Sequence, residues 1–129
     1  MGLDQNAYCS KIEITDDNLM GLLESKEAER LMYWRKHNRL EGWMASLWTQ
    51  KGNSDEFNCV YMELTEEDID NLEYDVKNME LPETGGFFFG SDSYLEDWKN
   101  EYMKQDLEFI RAARNKMRSG HKIYYSSWW

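Results

Sequence analysis

Proline occurs once in this chain, at Pro82, cysteine twice, at Cys9 and Cys59, and histidine twice, at His37 and His121. Two cysteines in unrelated contexts, with no CxxC and no Cys/His cluster, exclude a disulfide scaffold and a structural zinc site. The reading is two free thiols. No apolar run approaches the roughly 20 residues that span a bilayer, so no membrane partner is expected. The opening stretch MGLDQNAYCSK lacks a basic n-region and an apolar h-region, so it does not read as a secretory signal. There is no G-x-S-x-G elbow, no phosphate loop ending in GKS or GKT, and no EF-hand loop. With no nucleophile–base set, the expectation is a non-enzymatic protein without cofactor or metal. Bases are scarce beside acids, 15 against 25, for a formal net charge of -10. That balance argues against binding a nucleic-acid backbone. It suits a basic protein partner or mimicry of a phosphate backbone, and it also serves solubility.

Aromatics, by contrast, are plentiful at 15%, and 129 residues are enough chain for one packed domain over 1–129. Residues 8–14 (YCSKIEI) alternate and read as a strand. Thr15, followed by Asp16 and Asp17, caps an expected helix over 16–24. Ser25 then caps a long helix over 26–50, which has no breaker and holds three of the six tryptophans. Residues 51–56 read as a polar loop and 57–64 (FNCVYMEL) as a second strand. Thr65 and Asp68 form a loose capping box for a helix with Ile69, Leu72, Val76 and Met79 as its apolar stripe. IEITDDNL and MELTEEDIDNL share a strand–Thr–acids–helix pattern, which suggests two related β–α units. Ser93 and Glu96 make an S-x-x-E box for a last helix over 94–118, closed by Gly120. Its buried stripe is Leu95, Trp98, Tyr102, Phe109, Ala113 and Met117. Asp106 falls on the same stripe and needs a partner, with Lys36 or an arginine of the long helix as the candidate. Residues 122–129 (KIYYSSWW) read as a terminal strand. The tryptophans at 128 and 129 should dock on a helix or form an interface, which makes a homodimer a candidate state. The fold class is therefore α+β: about three strands in an antiparallel sheet, packed by two long and two shorter helices.

Base, amide and aromatic concentrate at Trp34, Arg35, Lys36 and Asn38. Tyr124, Tyr125 and Ser126 add hydroxyls, and the GGFFFG loop adds Phe88 and Phe89 beside permissive glycine backbone. This mix of π faces and cations suits a planar anion such as a nucleotide, although core packing explains the aromatics equally well. A Tyr33–His37–Glu41 relay at helical spacing reads as an incidental surface arrangement.

The segments YWRKHNRLEGW, LPETGGFFFGSDSY and YYSSWW occur in that order. Together they resemble a family of small bacteriophage and prophage proteins that carries YWRK-x-N followed by Trp, then GFFFGS, then a YYSSW-like end. His37 stands where that family has alanine. The resemblance runs over residues 31–129 and implies a phage accessory protein acting in the cytoplasm of an infected or lysogenic bacterium. It brings no biochemical activity with it. The expected function is a binding protein that counters a host defence system by inhibiting a host effector, in the manner of an anti-CRISPR or nucleic-acid mimic. The alternatives are a sponge that sequesters a nucleotide immune signal in an aromatic/basic pocket, and a phage accessory protein of another kind. The corresponding partners are a host defence protein or a nucleotide-like small molecule.

Overall fold

The computed structural model describes residues 2–82 and 102–129. The fold is α+β, built on a four-stranded antiparallel sheet. The elements are β1 (Asp4–Ser10), α1 (Leu19–Glu24), β2 (Ala28–Arg35), α2 (Asn38–Gln50), β3 (Met62–Leu64), α3 (Glu66–Lys77), α4 (Met103–Arg118) and β4 (Lys122–Trp128). The strand order is β2-β1-β4-β3, so the first and last strands lie side by side at the centre. No helix among the described residues is long and apolar enough to cross a membrane.

The largest departure from the sequence reading is the expected helix over 26–50. Its first part is the edge strand β2, and only Asn38–Gln50 is helical. AERLMYWR is rich in good helix formers, but those preferences amount to at most about 0.7 kcal/mol per residue among ordinary residues. Pairing with β1 overrides them, from Asp4 opposite Arg35 to Ser10 opposite Ala28. The strand stops where Lys36 turns left-handed, at φ 56°, and its amide donates to the Leu3 carbonyl at 2.8 Å. This extra strand makes the sheet four-stranded.

Smaller shifts have local causes. β1 lies at 4–10 rather than 8–14, because its inward side begins with Gln5, a polar residue whose burial is not legible in a hydrophobic pattern. α1 is capped at Asn18, not Thr15: the Asn18 side chain accepts from the Thr15 amide and donates to the Glu13 carbonyl, both at 2.8 Å, closing a turn ahead of the helix. The IEITDDNL segment therefore contributes no strand, and the two units are not alike. Ser25 is the C-cap of α1 rather than the start of a helix. β3 shrinks to three residues because Cys59 takes φ 60°. Both cysteines are free, with Cys9 buried and Cys59 exposed.

Other features agree with the sequence reading. Thr65 and Asp68 form a reciprocal capping box on α3, and Ile69, Leu72 and Val76 are buried beneath it. α4 ends in a Schellman motif: the Gly120 amide donates to Met117 and the His121 amide to Lys116, both at 3.0 Å, with Gly120 at φ 85°. β4 lies where the alternation placed a strand. The start of the last helix, with Ser93, Glu96, Leu95 and Trp98, lies outside the described residues, as does the GGFFFG loop.

α2, α3 and α4 cover one face of the sheet. There Ala7, Trp34, Met62, Leu64, Ile123 and Tyr125 meet Leu40 and Met44 of α2, Ile69 and Leu72 of α3, and Phe109 and Ile110 of α4. α1 covers part of the other face, where Leu19 and Leu22 join Ile14, Ala28 and Tyr124. The exposed edge of β2 is shielded by α4 and the residue before it. The Gln105 amide donates to the Tyr33 carbonyl at 3.3 Å, and the Tyr102 hydroxyl to the Arg35 carbonyl at 3.0 Å.

Candidate functional site

Two polar constellations lie on opposite faces of the central strands. The first is buried on the helix side. The Asp106 carboxylate, from α4, accepts from the Trp34 indole at 2.9 Å with one oxygen and lies 2.8 Å from His37 Nε2 with the other. Both members of the His–Asp pair are essentially inaccessible, at 1% and 0% exposure. The partner expected for Asp106 is therefore present, but it is Trp34 and His37. Lys36 and the arginine Arg35 point to solvent. Tyr102 stacks on the His37 ring with centroids 4.2 Å apart. Gln5 clamps the His37 backbone: its amide nitrogen donates to the His37 carbonyl at 3.0 Å, and its oxygen accepts from the His37 amide at 2.9 Å.

The same Gln5 nitrogen donates to the Tyr125 hydroxyl at 2.9 Å, and Tyr125 in turn donates to Glu41 at 2.7 Å. Ser127 donates to the second Glu41 oxygen at 2.9 Å. Burial pushes the Glu41 carboxyl up to about 7, against the pull of the donors from Tyr125, Ser127 and Trp129. Burial likewise raises Asp106, opposed by His37 and Trp34. The network joins β1, β2, α2, α4 and β4 through directed bonds, and among the described residues its carboxylates, histidine and tyrosine bond to one another. Such a set fixes register and rigidity. No group of three or more potential metal ligands occurs among the described residues.

The second constellation is the outer face of the sheet. Cross-strand register places Arg35, Asp4 and Trp128 in one row, and Tyr33, Asn6 and Ser126 in the next. Arg30 and Tyr8 follow, with Tyr124 and Glu63 completing that row. Tyr33 is 37% exposed and Trp128 71%. The Tyr33 hydroxyl donates to the Asp4 carboxylate, and the Arg30 guanidinium lies 5.5 Å from the Tyr33 ring centre. Toward β3 the face turns acidic. Glu63 and Glu13 both lie close enough to Tyr124 to raise its hydroxyl, and Asp16 does the same to Tyr61, in each case after the larger effect of burial.

The sequence candidates thus separate. Trp34, Asn38 and Tyr125 are buried on the helix side, whereas Arg35 and Lys36 are exposed. Tyr124 and Ser126 face the other side of the sheet, Tyr124 under α1 and Ser126 almost covered. Phe88 and Phe89 lie outside the described residues. The described candidates do not close one pocket, because strand alternation sends neighbours in sequence to opposite faces. Trp129 docks as expected, its indole donating to the Phe57 carbonyl at 3.1 Å, but Trp128 does not. His37, Glu41, Gln5 and Asn6 were not among the candidates. Tyr33, His37 and Glu41 do not share a helix face: Tyr33 is on β2, and His37 is the N-cap residue of α2, turned inward. The chain matches no protein-family model, no curated protein and no solved structure.

Proposed function

We propose that the chain is a phage-encoded, non-enzymatic binding protein that counters a host defence system in the bacterial cytoplasm, by holding a host effector against its acidic sheet edge. The observation that carries this reading is the convergence of Glu13 and Asp16, from the segment between β1 and α1, with Glu63 of β3 beside Tyr61 and Tyr124. Exposed Glu66 and Glu67 follow directly on α3. Carboxylates gathered from a loop, an edge strand and a helix start present negative charge of the kind a basic, nucleic-acid-handling surface recognises. Asp70 and Glu73 belong to a different set, because Arg114 of α4 holds them at 2.7 and 2.9 Å and ties α3 to α4. The sealing of the one His–Asp pair among the described residues favours a binder over a catalyst.

The test is capture from a lysate of the bacterial host with immobilised protein, followed by mass spectrometry. A specific effector should be retained by wild type and lost by a Glu13→Lys, Glu63→Lys, Glu66→Lys variant that keeps its circular dichroism spectrum. Retention of the same effector by the folded variant would refute the acidic-edge reading.

A further inference from the structure

Beyond the acidic edge, the opposite half of the outer sheet face has a different chemistry, and we infer that it binds a short, two-base nucleotide. Four positions define a quadrangle on this half: Arg35 and Trp128 in one row, Tyr33 and Ser126 in the next. The two exposed aromatics occupy one diagonal. They are two strand spacings apart across the sheet, about 10 Å, and one same-face repeat apart along it, about 7 Å, so their backbones are separated by about 12 Å. Two rings at that distance offer one stacking platform for each of two bases, and a mononucleotide could use only one.

Beside the aromatics lie groups that suit a linking phosphate and its sugar. Arg35 supplies a forked donor, and half-buried Asn6, beside Tyr33 in the next row, supplies an amide that can read a sugar or base edge. The charges on this half are Arg30, Arg35 and Lys36 against Asp4. Asp4 is already engaged as acceptor from the Tyr33 hydroxyl, beside Arg35. A positive surplus remains, in a chain whose net charge is -10. That local surplus attracts a ligand of one or two negative charges. The global charge repels a long polyphosphate, which sets the ligand as short rather than a nucleic-acid strand. It also opposes a second copy of the chain on this polar face, although Trp128 is bare enough to suggest one.

The probes are the dinucleotide pApA, adenosine monophosphate and decathymidylate, titrated calorimetrically into the full chain in low-salt buffer. Binding of pApA is expected, with adenosine monophosphate at least tenfold weaker and decathymidylate no tighter than pApA. Trp128→Ala and Arg35→Gln should each weaken pApA at least tenfold. Lys77→Gln, which removes a base from α3 behind the sheet, should leave it unchanged. Circular dichroism shows that each variant is folded, and Tyr33→Leu repeats the test should either of the first two fail to fold. Absence of pApA binding to the folded wild type overturns the inference, as does equal weakening by Lys77→Gln, which would mark the effect as bulk charge. Affinity that rises steadily with strand length overturns the short-ligand assignment in favour of single-stranded nucleic acid. A dimer in sedimentation that Trp128→Ala dissolves, without pApA binding, overturns it in favour of self-association. Loss of effector capture by the acidic-edge variant leaves this result untouched, so the two readings fail separately.

Discussion

Glu41 should make this protein less stable as pH rises through neutrality, and Glu41→Gln should remove that dependence. The carboxyl titrates at 4.5 in an open chain and at about 7 in the fold, where burial is the largest cause. Between those values the folded state keeps a proton that the unfolded state has released. Stability is therefore full below 4.5, falls as pH rises toward 7, and levels off above it. At about 1.4 kcal/mol per factor of ten, the penalty is about 0.8 kcal/mol near pH 5 and about 3.4 kcal/mol near pH 8.5, a difference of about 2.5 kcal/mol. Protonated Glu41 keeps both neighbours by reversing one hydrogen bond, since a serine or tyrosine hydroxyl can accept as well as donate. Glutamine reproduces that arrangement at every pH, accepting from one hydroxyl and donating to the other. Urea denaturation followed by tryptophan fluorescence, near pH 5 and near pH 8.5, gives the two stabilities of each protein. The quantity of interest is the gap between the two pH dependences, because Asp106 and every other titrating group is common to both proteins. Curves that run parallel within about 0.5 kcal/mol would refute the argument, given a typical extrapolation error of ±10–15%.

Asp106→Ala should be among the most damaging single changes. It leaves the Trp34 indole and the His37 ring without their shared acceptor, and each buried group left unsatisfied costs about 1–3 kcal/mol by the same denaturation assay. A loss under about 1 kcal/mol would mean the pair is not buried as described. Thr65→Ala removes one half of the α3 capping box and should cost about 1 kcal/mol, with no change in the denaturant slope. Toward a thiol reagent, exposed Cys59 should react at once. Cys9, buried and with its thiol pushed up chiefly by that burial, should react only on unfolding. Two fast thiols in the native protein would contradict the placement of Cys9.

What the sequence disclosed follows from how local each signal is. The capping box at Thr65, the glycine stop at Gly120 and the strand at KIYYSSW are encoded within a few residues, and they appear where local rules put them. β2 is the opposite case. AERLMYWR favours a helix on its own, and only pairing with a distant β1 makes it a strand. β1 is itself hard to read, because Gln5 sits inward and its burial depends on the His37 backbone and the Tyr125 hydroxyl. The same error misplaced the candidate site. On an uninterrupted helix, Trp34, Arg35 and Lys36 cluster, whereas on a strand Trp34 enters the core as Arg35 leaves it. Asp106 could be recognised as needing a partner because it interrupts an apolar stripe. His37 could not be recognised as that partner without the left-handed turn at Lys36 that swings it inward.

The central pairing of β1 with β4 also has a consequence in time. Asp4 meets Trp128 and Ser10 meets Lys122, so the middle of the sheet joins residues separated by most of the sequence. A chain emerging from the ribosome can form α3 and the β1–β2 pair early, but among the described strands β3 pairs only with β4 and must wait for it. Contacts of such long sequence separation slow the conformational search. Until that last strand inserts, both the Gln5–Tyr125 bond and the Glu41 anchor are missing, and the two halves of the domain have no shared strand to hold them in register.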